Sequence, residues 1–280
     1  MFEFSNVGDF CKGNSMRDYL EVAVEAAKLG GDVLKRYYGQ KKTIEYKGEI
    51  DIVTEVDRRS EKLIVDHLAS RFPGHSILAE EGTHKVQQSE FKWVIDPLDG
   101  TTNYAHDYPF FGVSVALERD SEVILGVVYH PVFEELFVAE KANGAYLNGR
   151  KIGVSKVDRL RQSLLSTGFP YDVEDDSSEA LRHFENFIHA AQAVRRDGSA
   201  ALDLCYLAMG RFDGFWELRL KPWDTAAGAL IVTEAGGQVT DFSGNGYSIY
   251  QDQIMASNGL IHGQMQKVLD LCQVKSTLEQ

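Results

Sequence analysis

The string Asp96-Pro97-Leu98-Asp99-Gly100-Thr101-Thr102 concentrates more groups able to do chemistry than any other stretch of the chain. It follows the apolar run Lys92-Trp93-Val94-Ile95, which reads as a strand. Pro97 fixes its own φ, and Gly100 admits a tight or left-handed turn. Two carboxylates three positions apart are thereby delivered to a turn at a strand end. Hard cations such as Mg²⁺ take oxygen ligands in near-octahedral geometry. Asp96, Asp99 and the Leu98 carbonyl between them supply three. Gly100, Thr101 and Thr102 open the next element, where free backbone N–H groups suit a phosphate. A bare pair of acids at this spacing more often marks an Asx-type turn with solvated carboxylates. The Gly-Thr-Thr ending makes the metal-and-phosphate reading the more specific one.

Three further clusters hold groups able to do chemistry, each with a plainer reading beside it. In Pro222-Trp223-Asp224-Thr225-Ala226-Ala227-Gly228, Pro222 suits the first turn of a helix and sets Asp224 near its N-terminus. Complementing the helix dipole, worth about 0.3–1 kcal/mol, is the plainer role for Asp224. The small residues after it let another element approach very closely. Glu234, at the end of that helix, reads as structural. Glu80 and Glu81 precede Gly82 at a strand end, a pattern common in solvated loops. Asp51 to Asp57, with Lys47 upstream, includes Thr54 and Asp57 at the spacing of a helix cap.

Positioning these groups takes a sizeable core, and 280 residues with 44% hydrophobic residues provide it. No apolar run approaches the roughly 20 residues that span a bilayer, and residues 1–16 lack the features of a secretory signal. The formal net charge of −13 argues against nucleic acid as a partner. An acidic chain can handle an anion if its carboxylates hold cations and the cations hold the anion. Cys11, Cys205 and Cys272 are widely spaced and odd in number, which argues against a disulfide framework or a zinc–thiolate site and fits a cytoplasmic location.

Apolar spacing predicts helices over 16–38, with Gly39 as the stop, and from Thr54 to Phe72. The period then changes. Residues 75–80, 92–96, 110–118, 122–130 and 135–140 read as successive strands of an antiparallel sheet. A strand at 163–167, helices at 177–194 and 200–209, a strand at 214–220, a helix from Pro222, short strands and a helix at 261–271 complete the pattern. The expectation is a single α+β domain over 16–274, in halves of about 16–154 and 155–274, after an N-terminal extension at 1–15.

The segments Trp93–Tyr104 and Pro222–Gly237 resemble the two signature motifs of the inositol monophosphatase family, within the wider superfamily of lithium-sensitive, metal-dependent sugar phosphatases. Glu80-Glu81-Gly82 and Asp51–Asp57 fall in the right order. The stretches 198–217 and 167–172 look especially like bacterial members. The resemblance covers about 16–272 and implies a layered α-β-α-β-α sandwich. It implies two to three Mg²⁺ ions per subunit: Glu80, Asp96 and the Leu98 carbonyl at the first, Asp96, Asp99 and Asp224 at the second, and Glu80 near a weaker third. Asp57 and Thr101 would orient and deprotonate the attacking water. Gly100, Thr101 and Thr102 would contact the phosphate. Gly198, Ser199, Ala200 and Glu217 would face the alcohol. A homodimer is implied as well.

The chemistry coheres without the resemblance. Two cations clamp the attacking and leaving oxygens of an in-line displacement. The chain has neither a His-Cys-x₅-Arg thiol motif nor an Asp-x-Asp-x-Thr/Val motif, so direct attack by water is preferred to a phosphoenzyme. Inositol monophosphate is the expected substrate. Fructose bisphosphate, histidinol phosphate and 3′-phosphoadenosine 5′-phosphate are the rivals, and a non-catalytic regulatory partner protein is the rival from another class. Arg219 stands where many relatives have glycine. Pairing with Glu217 is the favoured reading, and a grip on a second phosphate is the alternative. Arg195 and Arg196 are assigned to subunit packing or to the loop before Gly198.

Overall fold

The structure, a computed structural model, describes residues 15–40, 44–46, 52–170 and 178–278. The extension expected at 1–15, apart from Ser15, lies outside these residues, as do Lys47, Asp51, Tyr171 and Asp172. Ser15 caps α1 (Met16–Tyr37) through a reciprocal pair of bonds with Asp18. An antiparallel pair follows, β1 (Ile44–Tyr46) and β2 (Ile52–Thr54), and leads into α2 (Glu55–Arg71).

Next come β3 (Ser76–Ala79), β4 (His84–Lys85), β5 (Phe91–Asp99), the short α3 (Thr101–Ala105), β6 (Gly112–Arg119), β7 (Glu122–His130), β8 (Glu135–Glu140), β9 (Gly144–Leu147) and β10 (Arg150–Lys151). Among the described residues they form an eight-stranded sheet in the order β10-β9-β8-β7-β6-β5-β3-β4. Only the β3–β5 pairing in it is parallel.

The remainder runs β11 (Leu164–Thr167), α4 (Ser178–Ala190), β12 (Ala193–Arg195), α5 (Ala200–Ala208), β13 (Gly214–Leu218), α6 (Pro222–Glu234), β14 (Gln238–Thr240), β15 (Gln253–Ser257) and α7 (His262–Leu278). The second sheet has the order β12-β11-β13-β15-β14.

Strand alternation explains the layering. In β6, Val113, Val115 and Leu117 face the core shared with α1 and α2, while Ala116 faces the core shared with α5 and α6. In β13, Phe215 faces α5 and α6, while Trp216 and Leu218 join the core lined by α4 and α7. The order is therefore α1/α2, first sheet, α5/α6, second sheet, α4/α7. This is the expected α-β-α-β-α sandwich. Strands with apolar residues on both faces read as near-continuous apolar runs, as 110–118 and 122–130 do.

Ala193 and Val194 leave the helix expected over 177–194 and open β12 instead. The Gln192 N–H donates to the Ser163 carbonyl at 3.0 Å, turning the chain back along β11, and β12 pairs there in parallel. No helix among the described residues is long and apolar enough to cross a membrane.

Candidate active site

In a regular strand, residues three apart point to opposite faces. Asp96 and Asp99 nevertheless lie on one side of the first sheet. Asp96 pairs with Ser114 of β6 and Asp99 with Gly112, so three steps on β5 oppose two on β6. This bulge returns Leu98 to the core of α1 and α2 and leaves both carboxylates facing the central helices. Asp96 accepts a hydrogen bond from the Leu98 N–H at 2.9 Å, so the Asx-type turn is real. Its acid is not solvated: Asp96 is 1% exposed and Asp99 8%.

The central layer supplies what meets them. Ser199 caps α5, and its hydroxyl donates to Asp99 at 2.6 Å while the Ala201 N–H donates to the same oxygen at 2.7 Å. Asp224 lies in the first turn of α6 behind Pro222 and accepts from the Lys221 N–H at 2.7 Å. The closeness that Ala226, Ala227 and Gly228 permit is realised against β7. A Cβ on Gly126 would stand 2.8 Å from the Ala227 carbonyl oxygen. Glu234 is structural as expected, receiving the Ala142 and Gly144 N–H groups at 2.8 Å each.

Burial pushes the Asp96 carboxyl far above its ordinary range, and Glu80, Asp99 and Asp224 add like-charge repulsion. Asp224 is raised in the same way by burial, Asp99 and Glu80. Asp99 is pushed up to about 6 by burial, against the stabilising bonds from Ser199 and the start of α5. The structure thus brings Glu80, Asp96, Asp99 and Asp224 within one electrostatic cluster. Among the described residues, no three His, Cys, Asp or Glu side chains form a finished coordination shell. Asp96, Asp99 and Asp224 each accept a hydrogen bond from a backbone N–H, at Leu98, Ala201 and Lys221. An all-oxygen donor set that repels itself, with Asp96 and Asp99 buried and Glu80 and Asp224 half-buried, fits hard divalent cations.

Gly100 precedes α3 with φ +92°, and a Cβ there would come within 3.0 Å of the Phe110 carbonyl oxygen. Only glycine allows this approach. Thr101 opens α3, where the first N–H groups have no intrahelical partner. Its hydroxyl is 3.0 Å from the Asp57 carboxylate and 3.0 Å from the Leu98 carbonyl. Asp57, 1% exposed, thus reaches across to Thr101 from the first turn of α2. Thr102, beside it, is exposed.

On the other wall, Gly198 has φ +82°, and Ala200 starts α5. Ser199, expected to face the alcohol, has its side chain turned to Asp99. Glu217 is 8% exposed, and burial with the nearby Asp99 charge pushes it up to about 8 despite Arg196. Arg219 has φ +60°, with its N–H donating to the Asp252 carbonyl at 2.6 Å. The backbone conformation explains why glycine suits this position.

Several residues near the site carry no sequence signal of their own. Ser60 donates to the Pro97 carbonyl at 2.9 Å. Glu61 receives three hydrogen bonds from the turn after Glu80. Tyr247 donates to Thr225 at 2.9 Å, next to Asp224. Asp203, 1% exposed, lies in the field of Asp197, Glu217 and Asp99. Acids and hydroxyls at helical spacing look like a solvated face until tertiary packing is known.

Comparison with known proteins agrees with this architecture. The profile of the inositol monophosphatase family matches residues 15–275. An inositol monophosphatase of Dictyostelium discoideum is 41% identical over 261 residues, covering 91% of this chain and 96% of the relative. A fructose-1,6-bisphosphatase/inositol-1-monophosphatase of Aquifex aeolicus is 42% identical over 250 residues, 89% and 94% of the two chains. The crystal structure of the extragenic suppressor protein suhB from Bartonella henselae superposes with a TM-score of 0.86 at 40% identity, covering 90% and 98%. The chain belongs to the inositol monophosphatase family of phosphatases.

Proposed function

We propose that the protein is a Mg²⁺-dependent phosphomonoesterase that hydrolyses inositol monophosphate to inositol and phosphate by direct attack of water. The observation that carries this is the gathering of buried Asp96 and Asp99 with half-buried Asp224 in one electrostatic cluster, beside a hydroxyl–carboxylate pair, Thr101 and Asp57. Glu80, Asp96 and the Leu98 carbonyl would hold one ion, and Asp96, Asp99 and Asp224 a second, with Glu80 near a third. When bound, Mg²⁺ supplies charge neutralisation at the phosphoryl group and acidifies the attacking water.

The chain's own groups do the rest. The N–H groups at Gly100, Thr101 and Thr102 receive the phosphate oxygens. The Thr101 hydroxyl takes the water's proton as it passes its own to Asp57. The water oxygen bonds to phosphorus, the ester P–O bond breaks, the leaving oxygen takes a proton from solvent to become the alcohol, and Asp57 returns its proton to solvent. Glu217, with Gly198 and Ala200, lines the alcohol side and hydrogen-bonds a polyol hydroxyl. The protein acts as a cytoplasmic homodimer, sensitive to Li⁺.

The name of the Aquifex aeolicus relative favours a second reading, in which fructose 1,6-bisphosphate is also cleaved. The deciding experiment is phosphate release, as kcat/KM, from inositol monophosphates, fructose 1,6-bisphosphate, histidinol phosphate and 3′-phosphoadenosine 5′-phosphate. Each is run with Mg²⁺ and with chelator. Turnover in chelator overturns the metal mechanism. Preference for a bisphosphate overturns the substrate assignment. No turnover of any substrate leaves the regulatory role standing instead.

A further inference from the structure

Helix α2 presents three successive polar side chains to three parts of the site. Asp57 meets Thr101, Ser60 meets the Pro97 carbonyl, and Glu61 meets the turn that follows Glu80. Positions i, i+3 and i+4 share one helix face, so one rigid element sets all three contacts. Glu61 is 4% exposed. One of its carboxylate oxygens accepts the Glu81 N–H at 2.6 Å. The other accepts the Thr83 N–H at 3.1 Å and the Thr83 hydroxyl at 2.7 Å.

The Glu80 backbone is pinned from two sides. Its N–H donates to the Ile95 carbonyl of β5 at 3.2 Å, and the Ala79 N–H donates to the Thr83 carbonyl at 2.9 Å. Between Ala79 and Thr83 the chain passes through Gly82 at φ +109°, and the N–H groups of Glu81 and Thr83 find their acceptor in Glu61. The Glu61 carboxylate thus adds three bonds to the one that the backbone closes across the turn. We infer that Glu61 is a positioning residue: by clamping the Glu81–Gly82–Thr83 turn it fixes the direction from which Glu80 meets Asp96. The inference rests on the metal site proposed above.

A carboxylate suits the role because both oxygens accept and every partner donates. Glutamine keeps the volume but turns an amide N–H₂ toward at least one donor. Groups that orient ligands in this way typically change metal affinity by about 10- to 100-fold when replaced.

Mg²⁺ binding to metal-free protein, followed by titration calorimetry without substrate, tests this. In Glu61→Gln the dissociation constant should rise about 10- to 100-fold, with kcat at saturating Mg²⁺ recovering to within a few-fold of wild type. Thr83→Val removes one bond of the three and should shift affinity in the same direction by less. Wild-type affinity in both variants overturns the inference, even if their melting temperatures fall, because that is a purely structural effect. Should Glu61→Gln not fold, the affinity of Thr83→Val decides by the same criterion. If the wild-type protein binds no Mg²⁺, the metal reading fails instead, and the two failures are distinct.

Discussion

The carboxylate of Asp57, on the first turn of α2, stands 3.0 Å from the hydroxyl of Thr101, the first residue of α3, though 44 positions separate them. The hydroxyl carries one proton and has two acceptors, Asp57 and the Leu98 carbonyl. A cation taking the Leu98 carbonyl would leave that proton to Asp57 alone. On the proposed metal site, the pair would then pull a proton from whatever donates to Thr101.

Thr101→Ala should consequently keep Mg²⁺ binding and lower kcat by roughly 10²–10⁴, the usual worth of general-base assistance. Asp57→Asn should fall in the same range, and the double variant should add little to either single one. Steady-state kinetics with calorimetric Mg²⁺ titration separates the effects. Wild-type turnover in Thr101→Ala would dismiss the relay.

Asp96→Asn separates stability from activity. The asparagine oxygen can still accept the Leu98 N–H, but the charge that Glu80, Asp99 and Asp224 crowd is gone. Metal-free protein at neutral pH should melt higher by a few degrees, on the scale of about 2–4 °C per kcal/mol for chains of this class. Mg²⁺ should no longer raise the melting temperature, and kcat should fall to near background. A variant that melts lower without metal and keeps its turnover would contradict the proposed cluster role.

How much of this is legible beforehand depends on the kind of signal. Helices α1 and α2 follow from apolar spacing, and the start of α6 from Pro222. The acids of the Asp96–Asp99 segment are visible as a string, yet their common facing is not. Regular alternation puts them on opposite sides, and only the register against β6 reveals the extra residue. The helix expected over 177–194 takes in Ala193 and Val194 because a three-residue strand cannot establish a new period; the partner strand β11 decides. Glu61 sits among Arg58, Arg59 and Lys62, where charge implies solvent, and only tertiary packing shows it buried. Arginine does not announce a left-handed backbone, so the φ of +60° at Arg219 is a property of the fold.

Glu217 should make the stability of the metal-free protein pH-dependent. Its folded value is pushed up to about 8, first by burial and then by Asp99, from an ordinary value of 4.5. Between those values the native chain holds a proton that the unfolded chain has released. Folding then takes up a proton, and stability falls as pH rises through that window, with a limiting slope of about 1.4 kcal/mol per unit for one group. Below the window both states are protonated, and the loss levels off above it. Glu217→Gln is neutral throughout, so its melting temperature should decline less from pH 5 to 8 in chelator. Parallel wild-type and variant curves would show that Glu217 is ionised in the native state.

Arg219 offers a test of substrate class because its backbone is already glycine-like. At φ +60° a glycine fits without rearrangement, so Arg219→Gly removes the side chain and leaves the turn, including its bond to the Asp252 carbonyl, in place. If Arg219 only shapes a polyol pocket, KM for inositol monophosphate should change a few-fold, since a partly exposed ion pair is worth about 0–1 kcal/mol. If it grips a second phosphate, a charge-assisted bond is lost, worth about 1.5–3 kcal/mol or roughly 10- to 150-fold in kcat/KM. That loss would fall on bisphosphates alone. The expected result is the first, with both substrate classes affected by similar small factors. A selective collapse of fructose 1,6-bisphosphate hydrolysis would reassign the substrate while leaving Asp96, Asp99 and Asp224 in their proposed roles.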